Sequence, residues 1–141
     1  PVKANEFSCL TEALYHEARS EDAVGILAVG TVILNRVQNK RFPNTICKVI
    51  HQGIYWKGNP VRDMCQFSYW CDGKTERYKD KKALSRIVAL TEIVLSGIIV
   101  KDLEAAHYHA SYVNPDWASY KQFKFITQIG KHLFYVDSQQ F

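Results

Sequence analysis

Several large classes of protein are excluded by what this sequence does not contain. No apolar run approaches the roughly 18 residues that cross a bilayer as a helix, so no membrane span is expected. No zinc-finger or helix-turn-helix signature is present. The basic residues are scattered apart from residues 77–82, so nucleic acid is not an expected partner. The cysteines form no C-x-x-C pair, the usual start of a structural zinc site. Ser20 stands where the second His of an H-E-x-x-H motif beginning at His16-Glu17 would be, so the zinc-protease pattern fails. No metal or other cofactor is expected. The chain has no internal repeat, low-complexity tract or linker. No signal peptide is visible and it starts at Pro1 without Met, as expected of a mature or trimmed form.

What is present describes an ordinary globular domain. With 141 residues, 47% hydrophobic and 23% charged, the chain is long enough to bury one sizeable core, and residues 1–141 read as a single, monomeric domain. The net charge of +4 fits either mild basicity or attraction to a polyanion. Cys9, Cys47, Cys65 and Cys71 are an even set, compatible with two bridges in an oxidising compartment; four free thiols are the competing reading. A Cys65–Cys71 bridge closes a short aromatic loop. Cys9–Cys47 then ties the first helix to a segment after the second. Such bridges place the protein outside the cytoplasm.

Apolar spacing predicts a helix over residues 6–19, from Leu10, Ala13, Leu14 and Ala18, and a second over 23–38. Val24, Leu27, Ala28, Thr31, Val32 and Leu34 give the second a broad apolar face, so it should be central. Thr45 caps a short third helix reaching about residue 51. Residues 52–78, with Gly53, Gly58, Pro60 and Gly73 among many aromatics, read as a long structured loop. Residues 79–96 repeat the helical period and end before Gly97, a suitable C-terminal cap. Residues 106–112 alternate like a strand. Residues 123–129 and 132–136 flank Gly130-Lys131 as a hairpin. The expected class is α+β, a helical body with a small antiparallel sheet.

Glu17 is the candidate catalytic residue. A Glu late in a helix is ordinarily a solvated face residue. Here it closes one apolar stretch just before another, and a carboxylate between two apolar helices loses hydration. That loss disfavours the charged form and raises the pKa, which suits a general acid near neutral pH. Glu12, Glu21 and Asp72 are acidic, but none has a further mark of a second catalytic carboxylate. Gln66 and Ser68 fall on one face if residues 65–72 are extended, with Phe67 and Tyr69 on the other. Amides and hydroxyls suit acetamido groups, and Tyr69 or Trp70 could stack on a sugar ring; a plain disulfide-closed surface loop is the competing reading. Asp72-Gly73 reads equally as a turn or as part of binding. His107 and His109 share one strand face, a geometry that suits either zinc, with His132 or Glu17, or simple hydrogen bonding. Asn35 is expected to buttress the loop after Glu17.

The residues also carry a resemblance. Glu17-Ala18-Arg19, Ala28-Val29-Gly30, Val32-Ile33-Leu34-Asn35-Arg36-Val37 and Phe42-Pro43-Asn44-Thr45-Ile46 form one ordered block. Gln66-Phe67-Ser68 with Asp72-Gly73, His107-Tyr108-His109 and residues 129–135 follow it. Together, over roughly residues 8–136, they resemble the spore-cortex-lytic (SleB/CwlJ-type) cell-wall hydrolase family. Tyr15-His16 precede the Glu where that family usually has Gly. The resemblance implies a lysozyme-like cleft and cleavage of peptidoglycan glycan strands by one essential Glu, here Glu17. Tyr15, Gln66, Ser68, Tyr69, Trp70, Asp72, Tyr108 and His109 are the candidate substrate-binding residues. One Glu without a convincing partner favours a lytic transglycosylase over a hydrolysing muramidase, since the sugar's own 6-hydroxyl replaces the second carboxylate. A non-catalytic wall-binding module and a metal-dependent amidase or peptidase are the alternatives. A bacterial enzyme of the periplasm or wall and a phage lysin are equally compatible.

Overall fold

The computed structural model describes residues 2–74 and 77–140, without the side chains of residues 2–4 and 140. Four helices form the body. Helix α1 (Val2–Ala18) buries the stripe Leu10, Ala13, Leu14 and Ala18, each at most 1% exposed. Helix α2 (Ala23–Val37) starts at Asp22, whose carboxylate accepts the Gly25 N–H at 2.9 Å and so satisfies one of the free donors of the first turn. Ile26, Ala28, Val29, Gly30, Thr31, Val32 and Ile33 are all buried, so α2 is the central helix its composition implies. Val24 departs from that reading: it sits in the first turn and is exposed.

Helix α3 (Ile46–Ile50) is capped by the Thr45 side chain, which accepts from Lys48 N. The Glu6 carboxylate reaches over from α1 to accept the N–H groups of Ile46 and Cys47 at 2.8 and 3.3 Å. The Cys9–Cys47 disulfide fastens the same two helices. Helix α4 (Lys81–Leu95) begins two residues later than expected because Asp80 is its cap, accepting from Ala83 N at 3.0 Å. Its end is a Schellman motif, with Gly97 N–H bonded to Val94 O and Ile98 N–H to Ile93 O. Inside the bundle, the Thr11 hydroxyl donates to that of Thr91, joining α1 to α4.

The long-loop reading of residues 52–78 is corrected. Strands β1 (Gly53–Trp56) and β2 (Asn59–Cys65) form an antiparallel hairpin. Its two-residue turn is Lys57-Gly58, with φ of +50° and +83°, the left-handed pair that matches strand twist. The hairpin shows no apolar alternation because both its faces meet solvent: Ile54, Tyr55, Trp56 and Met64 are all exposed. After β2 the chain turns into a 3-10 helix (Ser68–Cys71), and Cys65–Cys71 closes this corner. Both disulfide pairings are thus those expected from the sequence. Residues 75 and 76 of the expected loop lie outside the described residues.

The second sheet has the order β3-β5-β4, all antiparallel, from β3 (His107–Ala110), β4 (Phe123–Ile129) and β5 (His132–Asp137). The strand expected over residues 106–112 is shorter than that and stops at Ala110. The Gly130-Lys131 hairpin is present as read. Ala28 and Val32 of α2 pack with Leu103, Ala105 and Phe134, which seats the sheet on the central helix. The result is the α+β arrangement of a helical body with a small sheet on one side.

Candidate active site

Period places Glu17 where it is. Leu10, Ala13 and Leu14 make the buried stripe of α1, and the next position on that stripe is Glu17. A carboxylate therefore occupies what would be a core position in the last turn. Arg36 does the same on α2, following Val29, Val32 and Ile33; it is 2% exposed. Strand β3 supplies the third member: the Tyr108 hydroxyl donates to Glu17 Oε1 at 2.6 Å.

The electrostatics follow from this burial. Desolvation pushes the Glu17 carboxyl above its ordinary value of 4.5, against the opposing pull of the Tyr108 hydrogen bond and the Arg36 charge. The nearby carbonyl end of α1 acts in the same direction as burial. Burial also lowers the Arg36 guanidinium to about 10, so it stays cationic at neutral pH. Its Nε donates to Ala106 O at 2.7 Å, and its face lies against Phe42 and Phe67. Among the described residues its Nη1 has no hydrogen-bond partner. Tyr108 is pushed well above 10 by burial and by Glu17, so it remains a donor.

Glu17 stands where two depressions meet, with volumes of about 320 and 270 Å³; His16 and Ser68 line both. The larger is walled by Gln66, Phe67 and Ser68 on one side and by Tyr108, His109, Tyr112 and Val113 on the other. The smaller is walled by Arg19, Tyr69, Asp72 and Lys74. Gln66, Ser68, Tyr69, Asp72, Tyr108 and His109 are therefore all brought to the cleft that holds Glu17. The geometric reason differs from the expected one for residues 68–71, which form a 3-10 turn and not an extended strand.

Two candidates line neither of the depressions that meet at Glu17, and Tyr15 borders only the outer one beyond Arg19. Tyr15 is 2% exposed, and its hydroxyl accepts the Asp80 N–H at 2.8 Å, which makes it a strut between α1 and the start of α4. Trp70 stacks on His51 at 3.7 Å and donates its indole N–H to the Tyr55 hydroxyl, away from Glu17. Asn35 supports a different segment from the one expected: its amide donates to Leu103 O and Ala105 O, bracing the approach to β3.

The other carboxylates separate clearly. Glu21 is buried, accepts Lys131 N–H at 2.7 Å and faces His132 Nδ1 at 3.5 Å. A side chain on Gly130 would collide with it, and Gly130 has φ +58°, so Glu21 clamps the β4–β5 turn. Glu12 lies by Tyr69, whose hydroxyl is raised by burial and then by that carboxylate. Asp72 alone of the three shares a depression with Glu17, and it accepts Lys74 N–H at 2.8 Å.

The paired strand histidines are engaged. His109 Nδ1 lies 2.8 Å from Ala110 O and Nε2 lies 2.9 Å from the Tyr135 hydroxyl. His107 packs among Phe42, Trp117 and Phe123, and burial lowers it to about 4. A metal there would have to displace these contacts. Sequence reasoning missed Arg36, Tyr112 and His132 as cleft residues. The signal available for Arg36 was a lone cation on an apolar helical stripe; Tyr112, 82% exposed at the cleft mouth, had no signal beyond being aromatic.

A desolvated acid that accepts from a tyrosine and feels the charge of an arginine, in a polar- and aromatic-walled cleft on a helical body, defines the class. Residues 20–135 match the family described as Cell Wall Hydrolase, and the chain belongs to that family. The match begins after Glu17, so that residue's place rests on its geometry and on similarity outside that span.

Within the family the particular relatives are spore cortex-lytic enzymes. The Bacillus subtilis enzyme of that name is 32% identical over 134 residues, covering 92% of this chain and 37% of the relative. The Halalkalibacterium halodurans enzyme is 30% identical over 136 residues, covering 92% and 34%. The chain thus spans about a third of the length of these curated relatives. Among solved structures, the catalytic domain of the germination-specific lytic transglycosylase SleB from Bacillus anthracis aligns with TM-score 0.66 and 27% identity, covering 94% of each chain. The catalytic domain of the Bacillus cereus SleB protein aligns with TM-score 0.58 and 27% identity, covering 94% of this chain and 91% of that one.

Proposed function

We propose that this chain cuts the MurNAc–GlcNAc backbone of peptidoglycan outside the cytoplasm, with Glu17 as general acid and then general base. The observation that carries the reading is the buried Glu17 carboxyl at the junction of the cleft, raised by desolvation and held by Tyr108. The neutral carboxylic acid gives its proton to the glycosidic oxygen as the bond to the anomeric carbon breaks. The carboxylate left behind takes the proton from the sugar's 6-hydroxyl as that oxygen closes on the same carbon. The product is a 1,6-anhydro end, no water is consumed and Glu17 is again protonated. Gln66 and Ser68 receive the acetamido groups, and the exposed Tyr112 offers a ring face to a sugar, while Tyr69, stacked on His16, backs the cleft wall. The protein acts as a monomer, within a bacterial wall or as a phage lysin.

A muramidase reading has one specific support: Asp72 shares a depression with Glu17 and could activate water. Its product would carry a reducing end. Replacement of Glu17 tests the shared core of both readings. Glu17→Gln keeps the shape and cannot donate the proton, so clearing of purified peptidoglycan should fall by about 10²–10⁴-fold. A variant that clears at a rate near wild type would rule out Glu17 as the acid and leave the metal-dependent amidase or peptidase.

A further inference from the structure

The cleft does not end at Glu17. The smaller depression, lined by Arg19 and Lys74, runs on into a third of about 270 Å³ lined by Tyr15, His16, Arg19, Lys74, Arg77 and Lys79. His16, Arg19 and Lys74 are common to both. Among the described residues, one direction from the acid therefore carries Gln66, Ser68 and aromatic rings with the buried Arg36, and the other carries four cations, Arg19, Lys74, Arg77 and Lys79. Arg19 is fixed in place: its guanidinium donates to Tyr15 O at 3.1 Å and lies 4.7 Å from the Tyr15 ring, while Arg86 donates to Arg19 O. Among the described residues, Asp72 is the one carboxylate besides Glu17 on the linking depression, and it already accepts the Lys74 backbone N–H.

A neutral acetamido sugar has no use for such an end. We propose that the Arg19–Lys74–Arg77–Lys79 end of the cleft is a carboxylate-binding subsite that reads the anionic group hung from the muramyl side of the strand. This rests on the proposed glycan-cleaving function and names the substrate class within it: strands that bear carboxylates next to the cut bond. Two sources share that chemistry, the stem-peptide carboxylates and the lactyl carboxylate that appears when the peptide is removed. The subsite is a surface one, so each cation contributes modestly and the sum is sensitive to salt.

The test uses three preparations of one peptidoglycan: native strands, the same strands with their carboxylates converted to amides, and strands freed of stem peptides. Wild type is compared with Lys74→Gln/Arg77→Gln/Lys79→Gln, all exposed positions, by kcat/KM and by co-sedimentation of the Glu17→Gln form of each. Wild type should favour native over amidated strands, and the triple variant should reduce that ratio by about ten-fold, roughly two-fold per exposed cation. The ratio should also shrink as salt rises. Stripped strands that behave like native ones assign the lactyl carboxylate; stripped strands that behave like amidated ones assign the stem peptide. Equal handling of native and amidated strands by wild type, or a preference that the triple variant retains, would overturn the subsite. Should no strand be cut in any preparation, the glycan-cleaving reading fails, and co-sedimentation still decides whether the cationic end selects carboxylates.

Discussion

Removing the Tyr108 hydroxyl probes the acid without touching it. In the folded protein this hydroxyl donates to Glu17 Oε1 at 2.6 Å, a short bond to a group that is charged for half of the proposed cycle. It favours the carboxylate, opposing the desolvation that raises Glu17. Hydrogen bonds to charged groups contribute about 1.5–3 kcal/mol, and 1.36 kcal/mol corresponds to one pKa unit. Tyr108→Phe should therefore raise Glu17 by a further ~1–2 units. In the proposed cycle the working form is the protonated acid, so activity should be lost as pH rises through its pKa. The alkaline limb of the kcat/KM profile should accordingly move up by the same ~1–2 units in the variant, whatever happens to the plateau. Initial rates on soluble glycan fragments, read by chromatography across pH, give the profile; a carbon-13 titration of the Glu17 carboxyl gives the pKa independently. An alkaline limb that stays in place, or moves to lower pH, would refute the balance of burial against hydrogen bonding described for this site.

Two further outcomes follow from the same structure. Because the folded protein holds the Glu17 proton more tightly than the unfolded chain, ionising that group costs stability; the cost is absent below the ordinary 4.5 and complete above the raised folded value. Glu17→Gln should thus melt higher than wild type at pH 8 and lose that advantage by pH 4, and an advantage largest in acid would contradict the sign. For the disulfides, the chain-entropy model gives about 4 kcal/mol for closing the 38-residue Cys9–Cys47 separation and about 2 kcal/mol for the 6-residue Cys65–Cys71 separation. Denaturant titration of the two paired Cys→Ala variants should rank them so, while the Cys65/Cys71 pair should raise KM more; the reverse order would show that strain or residual structure dominates.

The helical body was legible because three- and four-residue spacing reports burial directly: Leu10, Ala13, Leu14 and Ala18 are as deep as their pattern implies. The desolvation of Glu17 was legible for a related reason, since it ends an apolar stripe just before a second apolar helix; its catalytic role rested on the family resemblance. The β1–β2 hairpin was not, because a strand pair exposed on both faces has no alternation to read, and its Lys57-Gly58 turn lacks the usual Asn or Asp. Trp70 was misplaced by assuming a two-residue period through residues 65–72. The 3-10 turn there uses a three-residue period and carries the indole outward to His51 and Tyr55. Arg36 left a local trace as a lone cation on an apolar stripe, but Tyr112 joins the cleft through the turn that follows β3, which no local pattern encodes.

The central claim is that Glu17 acts alone, as acid and then base, with the substrate's own hydroxyl as nucleophile. Mass spectrometry of the fragments released from purified peptidoglycan tests it most directly. Wild type should yield 1,6-anhydro-muramyl ends, and Glu17→Gln should yield no new ends above background. Reducing ends from wild type, abolished when Asp72 is replaced by Asn, would contradict it and assign a two-carboxylate hydrolysis to the cleft instead.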